Sequence, residues 1–160
     1  MPASLLQRAA VALVWLGLAV PVLFLVTRFA AHTAGWLTLM YGMVGIVTFG
    51  VLQLVLAILV AARADKVWPA AAGPVSAILM LVACAAHLLA ALAFGDFGDT
   101  GPAAPSFLEQ IFGISDNLSS GIGSALLLVW AVSHVAAIVF AAVEGGDSAL
   151  AKAAGQATRL

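Results

Sequence analysis

Two histidines are the side chains in this sequence best suited to chemistry inside a membrane. His87 and His134 each lie deep within a long apolar run, where an ionisable group is costly and is a functional candidate by default. The two runs are consecutive, so the helices that they predict are antiparallel neighbours. The imidazoles meet only if they lie at the same depth, and moving the start of the second helix from Ser119 to Ser124 shifts His134 by about 7 Å. The sequence leaves this depth open.

The paired histidines admit several interpretations. Neutral imidazole is a common iron ligand, so His87 and His134 are candidate axial ligands of a b-type haem. Arg28 and His32, at the outer end of the first apolar run, would then meet the propionates. The simpler interpretation, which we favour, is that each imidazole hydrogen-bonds to a neighbouring helix, through a side chain such as Gln53 or a backbone carbonyl. A proton or metal relay is a further alternative.

The sequence lacks the usual signatures of an enzyme. It contains no glycine-rich phosphate loop, no HExxH zinc motif and no GxSxG elbow. No Asp or Glu lies within an apolar run, so the carboxylate that drives small proton-coupled exporters is missing, and the single cysteine, Cys84, excludes a thiol pair within the chain. A net charge of −1 argues against nucleic-acid binding. We therefore predict a protein that is not an enzyme.

The elements that position these residues follow from composition. The chain is 64% hydrophobic and 8% charged, whereas a soluble domain carries about 25% charged residues. The uncharged run 37–62 would form a helix of about 39 Å, enough to cross a hydrocarbon core of about 30 Å. Similar runs occupy approximately 9–27, 74–94 and 119–143. These runs predict an all-α integral membrane protein, a single domain formed by a bundle of four transmembrane helices.

Local signals refine this bundle. Pro21 predicts a kink in the first span near Gly17, because proline removes a backbone hydrogen bond. The residues Gly17, Pro21, Phe24 and Arg28 share one helical stripe that should face the other helices. In the outer loop, Ser106 has capping-box spacing from Glu109, which predicts a short helix over approximately 106–113, lying flat at the membrane surface. The segment 144–160 is polar and is predicted to be a frayed or weakly helical cytoplasmic tail.

Small residues recur at helical spacing and predict close helix packing. Gly42, Gly45 and Gln53 fall on one face of the second span, and Ala137 with Ala141 forms a second pair in the fourth. The stripes occupy more faces than one four-helix bundle obviously needs. This pattern predicts a small non-catalytic membrane protein that acts by helix packing, as an accessory or assembly subunit of a larger membrane complex or as a homo-oligomer. Its expected partners are the lipid bilayer and other membrane subunits or itself.

The basic residues predict the orientation. With four spans, the side that carries both termini holds most of the basic residues, namely Arg8, Arg63, Lys66, Lys152 and Arg159, and the other side holds Arg28. The positive-inside rule then places both termini in the cytoplasm. Low lysine content and abundant alanine are typical of bacterial membrane proteins, so the predicted location is the bacterial cytoplasmic membrane.

Overall fold

The fold was analysed in a computed structural model that describes residues 5–64, 71–96 and 104–157, with side chains up to residue 144. Lys66 and Arg159, which enter the charge argument, lie outside the described residues, and so does the side chain of Lys152. The helices are α1 (Leu5–Ala30), α2 (Trp36–Ala64), α3 (Pro74–Ala93), α4 (Phe107–Phe112) and α5 (Asp116–Ala157). Four of the described helices are long and apolar enough to cross a membrane, which confirms the predicted all-helical, multi-pass architecture.

The four long helices form a closed ring. Helix α1 packs against α2 and α3, and α5 packs against the same two helices from the other side. Helix α3 is the most enclosed of the four: 44% of the residues in its 18-residue apolar stretch are buried, whereas the same fraction is 22% for α2. Its many alanines allow the neighbouring backbones to approach closely.

Helix α1 is interrupted where the sequence predicts. Its first part ends at Leu16, a 3₁₀ turn covers Gly17–Ala19, and α-helical geometry resumes at Val20, just before Pro21. A Cβ atom at Gly17 would overlap the amide group of Gln53, so a larger residue at this crossing with α2 would displace that side chain. The stripe that begins at Gly17 and continues through Pro21, Phe24 and Arg28 is buried, which confirms its predicted inward direction.

Helix α2 contains an irregularity that the sequence did not predict. The turn Tyr41–Gly45 is a π-helix, one residue wider than an α-helical turn. The ring of Tyr41 lies against Gly45, where a Cβ atom would come within 2.6 Å of it. Because a π turn is unfavourable by itself, tertiary contacts must hold it, and those contacts are made by Tyr41.

Helix α5 is longer at both ends than the fourth predicted span, 119–143, whereas the short helix before it begins as predicted. The capping box is present: the Glu109 amide donates to the Ser106 hydroxyl at 3.1 Å, and the Ser106 amide donates to the Glu109 carboxylate at 2.9 Å. The short helix α4 then ends at Gly113, which has a left-handed φ of 63°. Helix α5 continues to Ala157, through most of the segment predicted to be a frayed or weakly helical tail. No proline interrupts it.

Candidate functional site

The two histidines lie in one cluster of rings in the middle of the bundle. This histidine–aromatic cluster consists of Phe24, Tyr41, Phe49, His87, Trp130 and His134, contributed by all four long helices. His87 and His134 are both buried. The structure therefore answers the question of depth that the sequence left open, because both imidazoles contact Trp130.

The π turn of α2 determines the partner of His87. The Tyr41 hydroxyl lies 2.8 Å from His87 Nε2, and the tyrosine ring stacks on Phe24 with centroids 4.1 Å apart. Phe49 packs edge-on against His87 at 4.8 Å. His87 thus hydrogen-bonds to a neighbouring helix, as the simpler interpretation predicted, although Tyr41 was not among the partners considered.

The packing around the histidines does not fit the haem alternative. The indole of Trp130 lies beside both imidazoles, with ring centroids 5.1 Å from His87 and 5.7 Å from His134. The cavity that these residues line has a volume of only about 10 Å³, the space of about one water molecule. A macrocycle cannot enter without moving whole helices. The proposed propionate partner Arg28 is also engaged elsewhere.

Arg28 is fully buried at the end of the bundle where α1 is followed by α2, which we call the outer end after the predicted orientation. Its guanidinium forms an ion pair with Asp96, with Nη2 and Oδ2 3.1 Å apart. It also donates to the Thr38 hydroxyl at 2.8 Å and to backbone carbonyls of Thr33, Phe94 and Gly95 at 2.7 to 3.1 Å. We call Arg28, Thr33, Thr38 and Asp96 the outer polar centre. A buried guanidinium is tolerated here because acceptors surround it.

Asp96 connects this centre to the start of α2. Its carboxylate accepts from the Leu37 amide at 2.7 Å, from the Thr38 amide at 3.0 Å and from the Thr38 hydroxyl at 2.9 Å. It therefore caps the N-terminus of a helix distant in sequence, where the helix dipole favours negative charge. Burial by itself raises the pKa of Asp96, but the bonds from Leu37, Thr38 and Arg28 outweigh it and hold the pKa below its usual value.

A second carboxylate has the same role at the inner end. Glu144 of α5 accepts from the Ser76 hydroxyl at 2.7 Å and from the Val75 amide at 3.2 Å, and so caps α3. Arg63 of α2 donates to the backbone carbonyl of Glu144 at 2.6 Å. We call Arg63, Ser76 and Glu144 the inner polar centre. It joins three spans at one point.

The residues predicted to serve helix packing make contacts inside the chain. Gly42 approaches Leu25, the amide of Gln53 donates to the Val14 carbonyl at 2.7 Å, and Gly45 accommodates the tyrosine ring described above. Ala137 and Ala141 are buried in the core. Whether any of these positions also supports association with a second protein stays a prediction.

Sequence analysis missed three residues that organise these sites: Tyr41, Asp96 and Glu144. One signal for the carboxylates was present in the sequence. Helices α2 and α3 follow Gly35 and Gly73, and neither helix has a side-chain N-cap from its own preceding residue. A helix start without a local cap needs an acceptor from elsewhere.

Comparison with family models, curated proteins and solved structures finds no match to this chain.

Proposed function

We propose that this chain is a small non-catalytic membrane protein that acts by helix packing, as an accessory or assembly subunit of a larger membrane complex or as a homo-oligomer. The observation that supports this proposal is the internal use of its polar groups. Arg28, Gln53 and Glu144 are hydrogen-bonded to other residues of the chain. A reaction or a transport step needs polar groups that face a substrate, and these three face the protein.

Small residues on the lipid side supply a surface for such packing. Gly121, Ala125, Leu128 and Val132 of α5 are exposed and follow one another at spacings of four, three and four, along one face of the helix. A Cβ atom at Gly121 would meet nothing within 4 Å, whereas one at Gly123 would meet the Phe94 ring. Glycine at an uncrowded lipid-facing position lets the backbone of another helix approach closely.

A shallow groove continues this surface toward the inner end of α5. It has a volume of about 500 Å³ and is lined by apolar side chains, namely Ala131, Val132, Val135, Ala136, Val139 and Phe140. A groove lined by small and branched apolar residues suits the ridge of a second helix. We call the surface from Gly121 to Val139 the α5 lipid face.

The proposed placement in the membrane follows from charge and exposure. Both termini are assigned to the cytoplasm because most basic residues lie on that side. In α4, Ile111 is 59% exposed and Phe112 is 70% exposed. Burying these side chains among lipid tails would offset the cost of exposing them to water, so we assign α4 to the outer membrane surface. Composition supports the bacterial cytoplasmic membrane.

Association can be tested with two differently tagged full-length copies expressed together in a bacterial membrane and extracted in mild detergent. We expect the wild-type chain to co-purify with its second copy or with a stoichiometric membrane subunit. Gly121→Leu should abolish this association, because the leucine would hold the helices apart. Gly50→Leu is the matched control, since Gly50 of α2 also has nothing within 4 Å of its Cβ position.

Two results would contradict the proposal. One is a wild-type chain that purifies alone and behaves as a monomer in detergent and in nanodiscs. The other is an association that Gly121→Leu and Gly50→Leu weaken equally, because that would mean that the α5 lipid face is not the contact surface.

A further inference from the structure

A small internal cavity lies beside the histidine–aromatic cluster. Its volume is about 10 Å³, and polar and sulfur-containing side chains that line it include Gln53, Cys84, His87 and His134. Gly17 of the 3₁₀ turn lines its wall, and one lining residue, His87, hydrogen-bonds to Tyr41 of the π turn. Irregular backbone in a membrane helix is tolerated where it lines a cavity.

His134 contributes an unpartnered polar atom to this cavity. The side chain is 3% exposed, and its Nε2 atom has no hydrogen-bond partner among the described residues. Leaving a buried polar atom unsatisfied destabilises the fold, because the atom has lost its hydrogen bonds to water. Native proteins seldom leave such a group unsatisfied. Where no protein group bonds to it, the usual partner is an ordered water molecule.

The cavity matches one water molecule in size and in chemistry. A water needs about 10–15 Å³ and two to four polar partners. Gln53 uses its Nε2 atom to donate to Val14, so its Oε1 atom is the group that can accept from a ligand. His87 uses its Nε2 atom toward Tyr41, so its Nδ1 atom is available to face the cavity. A metal ion is disfavoured, since the described residues contain no group of three potential ligands.

We propose that this cavity is a binding site for a single water molecule, hydrogen-bonded to His134 Nε2 and to the polar side chains of Gln53 and His87. The water joins α2, α3 and α5 at the centre of the membrane. Together with the Tyr41–His87 bond, it forms a hydrogen-bonded series that runs from the π turn of α2 to His134. It supplies the partner that the buried Nε2 atom of His134 lacks.

Nuclear magnetic resonance of the full chain in lipid nanodiscs tests this site directly. The measurement is the transfer of magnetisation from water protons to the methyl groups of Val20, which line the same cavity and do not exchange with solvent. We expect a water contact at Val20. Val47, which is exposed on the lipid side of α2, is the internal control and should show none.

Two substitutions of His134 distinguish the loss of the bound water from a general change in helix packing. His134→Gln retains a side chain that accepts hydrogen bonds and should retain the water contact at Val20. His134→Phe is apolar and similar in size, and it should lose the contact while the shifts of the outer polar centre stay unchanged. Absence of the contact in the wild type, or its persistence in His134→Phe, would overturn the proposal.

Discussion

The ion pair of the outer polar centre offers the sharpest test of how this bundle is held together. In Asp96→Asn, an NH₂ group replaces one of two accepting oxygens: Oδ1, which accepts from the Leu37 amide, or Oδ2, which accepts from Arg28 and from the Thr38 amide and hydroxyl. An amide nitrogen cannot accept these bonds, and the buried guanidinium loses its counter-charge. Removing one partner of a buried pair costs about 3–5 kcal/mol. We expect a loss of that size in the free energy of unfolding.

The assay is denaturation of the detergent-purified chain, followed by helical circular dichroism. Asp116→Asn is the matched control, because it removes the same charge from an exposed position at the start of α5 and should change stability by less than about 1 kcal/mol. The double variant Arg28→Met/Asp96→Asn should lose less than the sum of the single losses, with a coupling of about 1–3 kcal/mol.

Two outcomes would refute this reasoning. If Asp96→Asn matched the Asp116→Asn control, the buried pair would contribute nothing that an exposed carboxylate does not. If the losses in the double variant were additive, Arg28 and Asp96 would act independently, and their 3.1 Å separation would carry no energy of its own.

The remaining predictions concern the kink of α1 and the response to acid. Gly17→Ala should lower the free energy of unfolding by about 1–3 kcal/mol, because the added methyl group displaces Gln53. Gly50→Ala is the control: space is open there, so the variant should be neutral or stabilising by up to about 1 kcal/mol. Equal effects in the two variants would contradict this account. Because the folded pKa of Asp96 lies below the 3.8 of the free side chain, its stabilising contribution should be complete well above pH 3.8 and lost as the pH falls through the folded pKa. The stability difference between the wild type and Asp96→Asn should therefore shrink below pH 3.8, and a difference that stayed constant would show that the carboxylate does not titrate in this way.

The histidine–aromatic cluster illustrates how far the sequence could lead toward a site. His87 and His134 stood out because ionisable residues are rare within apolar runs. Their partners did not stand out, since Tyr41, Phe49 and Trp130 are ordinary residues for a membrane helix. Contacts among these rings depend on the relative rotation and depth of four helices, and the π turn at Tyr41 changes that rotation in a way no sequence spacing indicated.

The two polar centres show the same limit for charged residues. Arg28 was predicted to face the other helices, and it does. Nothing in the sequence indicated that it pairs with Asp96, which is 68 positions away. Glu144 was assigned to a cytoplasmic tail because it follows the apolar run. In the structure it caps α3, since α5 continues past the apolar run and carries the carboxylate to the inner end of the bundle.

The sequence by itself determined the number of helices long and apolar enough to cross a membrane, the interruption of α1 and the capping box before α4. Each of these follows from local chemistry: the length of an uncharged run, the missing amide of proline, and the spacing of a serine from a glutamate. Only the tertiary structure decided which helices are neighbours, which carboxylate caps which helix, and that the rings around the histidines leave a cavity of only about 10 Å³. Those features depend on contacts between residues far apart in the chain, where a shift of one helical turn replaces every partner.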